Sequence, residues 1–221
     1  MKNFELVIFD CDGVLVDSER ITTIAFSRVL EQECELSFSF EFLLKTFIGK
    51  SSQECLNIIE GMLGHKPPQG IEKRFQAEIH KALGESVTKI NGIEKALNEI
   101  SIPYCVASGG SHKKMRNTLG RTNLLKYFDG KLFSATDVLC GKPYPDIFLY
   151  AASKMGCVKP NQCLVIEDSP LGIKAGVAAG MTVFGFSDLI SKQELINAGA
   201  HHAFIDMGNL AKEISHYGLD I

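Results

Sequence analysis

Leu6-Val7-Ile8-Phe9-Asp10-Cys11-Asp12-Gly13-Val14-Leu15-Val16-Asp17-Ser18-Glu19 is the stretch on which the reading of this 221-residue chain turns. Four apolar residues run into two acids and a glycine. A short, continuous apolar run closed in that way reads as a buried strand opening into a loop. Asp10 and Asp12 then stand at the carboxyl end of the strand, the edge at which open α/β sheets bind ligands. Two aspartates one residue apart can divide labour there, one attacking or binding metal and the other moving a proton. A polar turn is the commoner origin of a bare Asp-x-Asp, so the rest of the chain has to decide.

Downstream of the loop the apolar residues recur at helical spacing. Ile21, Ile24, Ala25, Val29 and Leu30 predict a helix over 19–33, and a second helix is expected over 40–47. Ser51 followed by Glu54 is a capping-box pattern, starting a helix that runs through Cys55, Ile58, Ile59 and Met62 to Gly64. After the 65–70 loop, a fourth helix over 71–83 is expected to end at Gly84. No stretch between 19 and 83 reads as a strand. From 92 onward the rhythm changes to alternating strands (103–107, 132–134, 163–166, 182–186, 203–205) and helices (92–100, 111–120, 145–155, 170–180, 192–198, 210–216). Ser169 is a plausible helix N-cap and Pro170 a first helical residue. This alternation implies an α/β fold, a mostly parallel sheet covered on both faces, with an all-helical block wedged in after its first strand. No internal repeat or low-complexity segment is present.

Composition narrows the function classes. A net charge of −3 with 22% charged residues suggests neither a nucleic-acid nor a membrane-surface partner. No apolar run approaches the roughly 18 residues needed to span a bilayer. The start, Met1-Lys2-Asn3-Phe4-Glu5, carries no signal-peptide pattern. The cysteines (Cys11, Cys34, Cys55, Cys105, Cys140, Cys157, Cys163) are odd in number, scattered and without a C-x-x-C pair. They read as small core residues of a protein in a reducing compartment. A cytoplasmic monomer is the expectation.

Parallel strands place Asp10 and Asp12, Ser108, and Glu167 and Asp168 on one sheet edge. The Ser108 hydroxyl, followed by Gly109 and Gly110 at the opening of a helix, can bring backbone N–H groups close to a phosphate, although Ser-Gly-Gly is also an ordinary turn. Lys142, in a loop before a helix, can neutralise a phosphoryl oxygen or simply be solvated. Four clustered carboxylates call for a cation, and an oxygen-only ligand set suits a hard ion such as Mg²⁺. Five basic residues between 112 and 128 (Lys113, Lys114, Arg116, Arg121, Lys126) can steer an anionic substrate toward the site, but read first as a solvated helix face. The histidines at 65, 80, 201, 202 and 216 show no ligand spacing.

In order, Asp10-x-Asp12-Gly13-Val14, Ser108, Lys142-Pro143 and Glu167-Asp168-Ser169 resemble the four motifs of the haloacid dehalogenase superfamily, specifically its members with a helical cap after motif one. The resemblance spans the whole chain. It implies a Rossmann-like core over 1–16 and 87–221 and a cap over 17–86, with hinges at 14–18 and 84–86. It implies that Asp10 is a nucleophile forming an aspartyl-phosphate and that Asp12 protonates the leaving alcohol, then activates water. Mg²⁺ would be held by Asp10, the main-chain carbonyl of Asp12 and Asp168, with Glu167 a weaker candidate. Ser108, Gly109 and Lys142 would bind the transferring phosphoryl group. The cap loop, with Lys50, Ser51 and Ser52, would read the leaving group.

Departures within the superfamily narrow the chemistry further. Its dehalogenases and phosphonoacetaldehyde hydrolases lack the second aspartate, so Asp12 speaks against both, and Lys50 reads as a substrate contact rather than a Schiff-base former. β-Phosphoglucomutases carry a histidine where this chain has Thr22 and a cap arginine where it has Ser52. The resemblance therefore implies a phosphatase of a small phosphorylated metabolite: a sugar, polyol or sugar-acid phosphate, with 6-phosphogluconate among the candidates. A phosphomutase and a non-catalytic phosphate-binding module are the rival readings.

Overall fold

Strand β1 (Leu6–Phe9) has all four side chains buried. That is the pattern of a strand paired on both edges and covered on both faces. The computed structural model describes residues 4–47, 50, 52–157 and 159–217. A two-residue strand, β2 (Val16–Asp17), follows β1, and then come four helices: α1 (Glu19–Cys34), α2 (Phe40–Phe47), α3 (Ser52–Leu63) and α4 (Ile71–Ser86). Beyond them lie β3 (Thr88–Lys89), α5 (Ile93–Glu99), β4 (Tyr104–Ser108), α6 (His112–Arg121), β5 (Leu132–Ser134) and α7 (Asp146–Lys154). The chain closes with β6 (Cys163–Glu167), α8 (Pro170–Ala178), β7 (Thr182–Phe186), α9 (Lys192–Asn197), β8 (His202–Phe204) and α10 (Leu210–His216). These elements form two compact units, Met1–Asp17 with Thr88–Ile221, and Ser18–Val87.

In the first unit the sheet order is β5-β4-β1-β6-β7-β8, and every neighbouring pair is parallel. Successive side chains of a strand point to opposite faces. Leu6 and Ile8 accordingly join a cluster with Cys105, Val165, Phe148 and Ile173, while Phe9 packs edge-on against Tyr104 and Phe128, with ring centroids 6.1 and 6.4 Å apart. A small antiparallel pair, β2 with β3, brackets the excursion into residues 18–87. Two-residue strands have no sequence periodicity, so the pair escapes a pattern reading.

In the second unit the described elements are all helices, α1 to α4, joined by loops. Phe26 stacks on Phe75 at 4.2 Å and leans on Phe47 at 4.8 Å, over a core that includes Leu30, Leu43 and Ile59. Helix α4 does not stop at Gly84 as its sequence suggests. It continues to Ser86 and ends where Val87 turns extended (φ −59°, ψ 130°) into β3. An interior glycine costs a helix about 1 kcal/mol, too little to end one that its neighbours hold in place. Ser51, the expected cap of α3, lies outside the described residues. Among the described residues no helix is long and apolar enough to cross a membrane.

Candidate active site

Parallel pairing brings the carboxyl ends of β4, β1 and β6 together on one edge. Asp10 ends β1 with its N–H still donating to the Ile166 carbonyl at 2.9 Å, and its side chain is buried. The chain then turns tightly, the Leu15 and Val16 N–H groups both donating to the Cys11 carbonyl at 3.0 and 3.1 Å. Gly13 has φ +75°, a region that disfavours side chains, and a Cβ there would lie 1.9 Å from Asp168 Oδ2. The glycine is thus required twice, by the turn and by the carboxylate that enters the space a methyl would fill.

Lys142, in the loop before α7, is only 11% exposed and donates from Nζ to Asp10 Oδ1 and Glu167 Oε1, both at 2.6 Å. Its ammonium also lies 5.0 Å from the Phe148 ring centre. Burial pushes the Asp10 carboxyl up to about 7; Lys142 opposes that rise, and the Glu167 and Asp12 charges reinforce it. Burial also works against charge on Lys142, but Asp10 and Glu167 outweigh it and raise the ammonium above the usual lysine range. The lysine therefore stays charged. Asp10, Glu167 and Asp168 each offer an oxygen within 4.8 Å of the others, and Lys142 pairs with the first two. The converging donors of that trio are all carboxylate oxygens.

Glu167 has no exposed surface. Its Oε2 accepts from the Asp168 N–H at 3.0 Å, the Ser169 N–H at 3.0 Å and the Ser169 hydroxyl at 2.9 Å, while Oε1 accepts from Lys142. Ser169 in turn caps α8, accepting the Gly172 N–H at 3.1 Å ahead of Pro170. A buried carboxylate survives only when so partnered, and this one ties the Asp168 turn to Lys142.

On the β4 side, the buried Ser108 Oγ accepts the Gly110 N–H at 3.0 Å, with Gly109 exposed between them. A methyl built on Gly110 would sit 3.4 Å from Ser108 Oγ and 3.6 Å from Asp12 Oδ2, so hydroxyl and carboxylate flank one point. The loop is braced from β5: Ser134 Oγ donates to the Gly110 carbonyl at 2.7 Å, and Asp137 accepts the Ser134 N–H at 2.9 Å. His112 Nε2 lies 2.9 Å from both Asp137 oxygens.

The structure thus brings together Asp10, Asp12, Ser108, Gly109, Lys142, Glu167 and Asp168. It also corrects the reading of Lys114 as part of a solvated face: its Nζ donates to Asp12 Oδ2 at 2.8 Å. Lys50 and Ser52 belong to the helical unit, where they line a cavity of about 390 Å³ with Glu19, Thr22, Glu72 and Gln76 and several phenylalanine rings. Ser51 and Gly49 lie outside the described residues.

Comparison with known proteins gives a consistent picture. A model of the family described as haloacid dehalogenase-like hydrolase matches residues 7–186. The chain is 35% identical to the 6-phosphogluconate phosphatase of Escherichia coli (strain K12), over 84% of each chain. It is 31% identical to a phosphorylated carbohydrates phosphatase of Thermotoga maritima, over 89% of this chain and 92% of the relative. The solved structure of a conserved haloacid dehalogenase-like protein from Agrobacterium tumefaciens str. C58 superposes with a TM-score of 0.90 at 33% identity, covering 96% of this chain and 98% of that one.

Proposed function

The chain belongs to the haloacid dehalogenase-like hydrolases, and on that premise we propose that it hydrolyses a small phosphorylated carbohydrate, polyol or sugar acid through an aspartyl-phosphate on Asp10. The observation that carries this reading is the meeting of Asp10, Asp12, Ser108, Lys142 and Asp168 at the carboxyl ends of three adjacent parallel strands.

Asp10 attacks phosphorus while the ester oxygen leaves, and Asp12 gives that oxygen its proton. Asp12 then takes a proton from water, whose oxygen attacks phosphorus and displaces the Asp10 carboxylate, releasing phosphate. Splitting the reaction through a covalent intermediate replaces one hard step with two easier ones. The Ser108 hydroxyl, the Gly109 N–H and Lys142 hold the phosphoryl oxygens as charge spreads over them. A phosphate-binding module needs no Asp12, and neither does a dehalogenase, whose halide leaves without a proton. The pairing of Asp12 with Asp10 is what favours ester hydrolysis.

Mg²⁺ fits the donor set. The converging atoms are carboxylate oxygens, Gly13 leaves room for Asp168, and burial, reinforced by the Glu167 and Asp12 charges, raises the Asp10 carboxyl despite Lys142. Asp10, the Asp12 main-chain carbonyl and Asp168 would hold the ion. Glu167, whose oxygens already accept from four donors, shapes the site around it. When bound, the ion offsets repulsion between the nucleophilic carboxylate and the phosphate dianion. Chelation with EDTA is expected to lower turnover by about 100-fold or more, and added Mg²⁺ to restore it.

Choice of leaving group is assigned to the helical unit, with Lys50, Ser51 and Ser52 as contacts. Its cavity sets hydroxyl, amide and charged groups (Thr22, Gln76, Glu19, Lys50) among a larger apolar lining of Phe26, Phe47 and Phe75. The deciding experiment is phosphate release from a panel of sugar, polyol and sugar-acid phosphates with Mg²⁺, 6-phosphogluconate included, run on wild type and on Asp12→Ala. Wild type should release phosphate from at least one member, and Asp12→Ala should lose about 10²–10⁴-fold on it. Silence across the panel would overturn the phosphatase reading. Conversion of β-glucose 1-phosphate to glucose 6-phosphate without net release would replace it with a mutase.

A further inference from the structure

We propose that Lys114 is a positioning residue for Asp12, holding its carboxylate in the orientation that serves the leaving oxygen and then the attacking water; this rests on the phosphatase reading above. Lys114 Nζ reaches Asp12 Oδ2 at 2.8 Å across 102 residues of sequence. Its side chain is 36% exposed and that of Asp12 only 16%, so the contact lies at the inner end of the lysine.

Helix energetics make the placement unusual. Lys114 sits in the first turn of α6, its N–H donating to the Ser111 cap, and that turn holds no acidic residue. A cation there opposes the helix dipole, an unfavourable arrangement for a residue with no other purpose. Side chains on a helix lean toward its N-terminus, which sends the Lys114 stem back over the Ser108–Ser111 loop. Gly110 leaves that path open, since a Cβ on it would come within 3.3 Å of Lys114 Cδ. Lys113, one residue earlier, is exposed. Only the lysine that can reach Asp12 is drawn inward.

A carboxylate that must serve two steps at one phosphorus atom gains from being fixed in space, because an error of about 1 Å in such a group can cost on the order of 100-fold in rate. Lys114 makes no covalent contribution, so its removal should be felt only where Asp12 is needed.

The test is Lys114→Met, which keeps most of the stem and removes the charge, alongside Lys114→Arg and the exposed control Lys113→Met. Each is assayed with Mg²⁺ on p-nitrophenyl phosphate, whose leaving group needs no proton, and on the best alkyl phosphate from the panel. For Lys114→Met, kcat on the alkyl phosphate should fall about 10–100-fold with little change in KM. The first-turnover burst of p-nitrophenolate should keep its rate, because attack by Asp10 is untouched. Lys114→Arg should recover part of the loss, and Lys113→Met should match wild type. The proposal is overturned if Lys114→Met behaves as wild type on both substrates, if it slows the burst and the alkyl reaction equally, or if it raises KM alone. A wild type inactive on every phosphoester would overturn the phosphatase reading, and this one with it; loss of this proposal alone leaves wild-type turnover in place.

Discussion

Asp10→Asn should lower phosphate release by about 10³-fold or more and leave the fold standing. Removing a covalent nucleophile eliminates the low-barrier route rather than weakening a contact, and the residue left behind cannot be bypassed by the rest of the site. The amide is close in shape to the carboxylate, and it fills a place where ionisation is already disfavoured. Burial moves the Asp10 carboxyl from 3.8 to about 7 in the folded chain. A carboxyl whose folded pKa is raised loses stability as pH climbs from the unfolded value through the folded one. At neutral pH the ionised group is therefore no source of stability, and the metal-free Asp10→Asn protein should unfold at the same temperature as wild type or higher. Lys142 keeps its second partner, Glu167, at 2.6 Å. Activity and thermal unfolding are read on the same preparation. If the variant retained more than about one part in a hundred of wild-type turnover, Asp10 would not be the nucleophile. If it lost activity only because it unfolded, the melting curve would show it.

What could be read from the sequence follows from how local the signals are. The end of β1 announces itself because Leu6–Phe9 are apolar and the next residues are acids and a glycine. The same change of residue type marks the ends of β4 at Ser108 and β6 at Glu167. Once the strands are taken as parallel, their ends must share an edge, and most of the candidate site follows without coordinates. Contacts made across long sequence distances do not. Lys114 and Asp12 are 102 residues apart, and a basic helix face looks the same in sequence whether its lysines meet water or a carboxylate. The only local hint was a cation in the first turn of a helix, where acids are favoured. The brace formed by Ser134, Asp137 and His112 on the Gly110 carbonyl depends on β5 lying beside β4, which no spacing encodes. Glu167 was legible as an acid at a strand end. Its occupation by four donors was not, and that is what shows it as the support of Lys142 as well as a member of the converging carboxylate trio.

Gly172 is the sharpest case of a residue whose role only coordinates reveal, and Gly172→Ala should destabilise the protein although it places a better helix former in a helix. In isolation alanine favours a helix over glycine by about 1 kcal/mol. Here its Cβ would fall 1.7 Å from Glu167 Oε1 and 2.0 Å from Glu167 Cδ, inside the carboxylate itself. Glu167 has no room to yield, being fully buried and held by Lys142, Ser169 and two main-chain N–H groups. Moving it takes one of two carboxylate partners from the buried Lys142 ammonium and leaves the Asp168 N–H, the Ser169 N–H and the Ser169 hydroxyl short of their acceptor. Breaking a buried ion pair costs about 3–5 kcal/mol, which outweighs the helix gain. The net loss of roughly 2–4 kcal/mol should lower Tm by about 10 °C for a chain of this size. Activity should fall with it, since Lys142 and the Asp168 turn both hang on the displaced group. Glu167→Asp, which withdraws the carboxylate by one methylene, should recover part of the Tm when combined with Gly172→Ala, because the collision is then relieved. A Tm for Gly172→Ala equal to or above that of wild type would mean that Glu167 can move freely, and the support assigned to it would fall with that result.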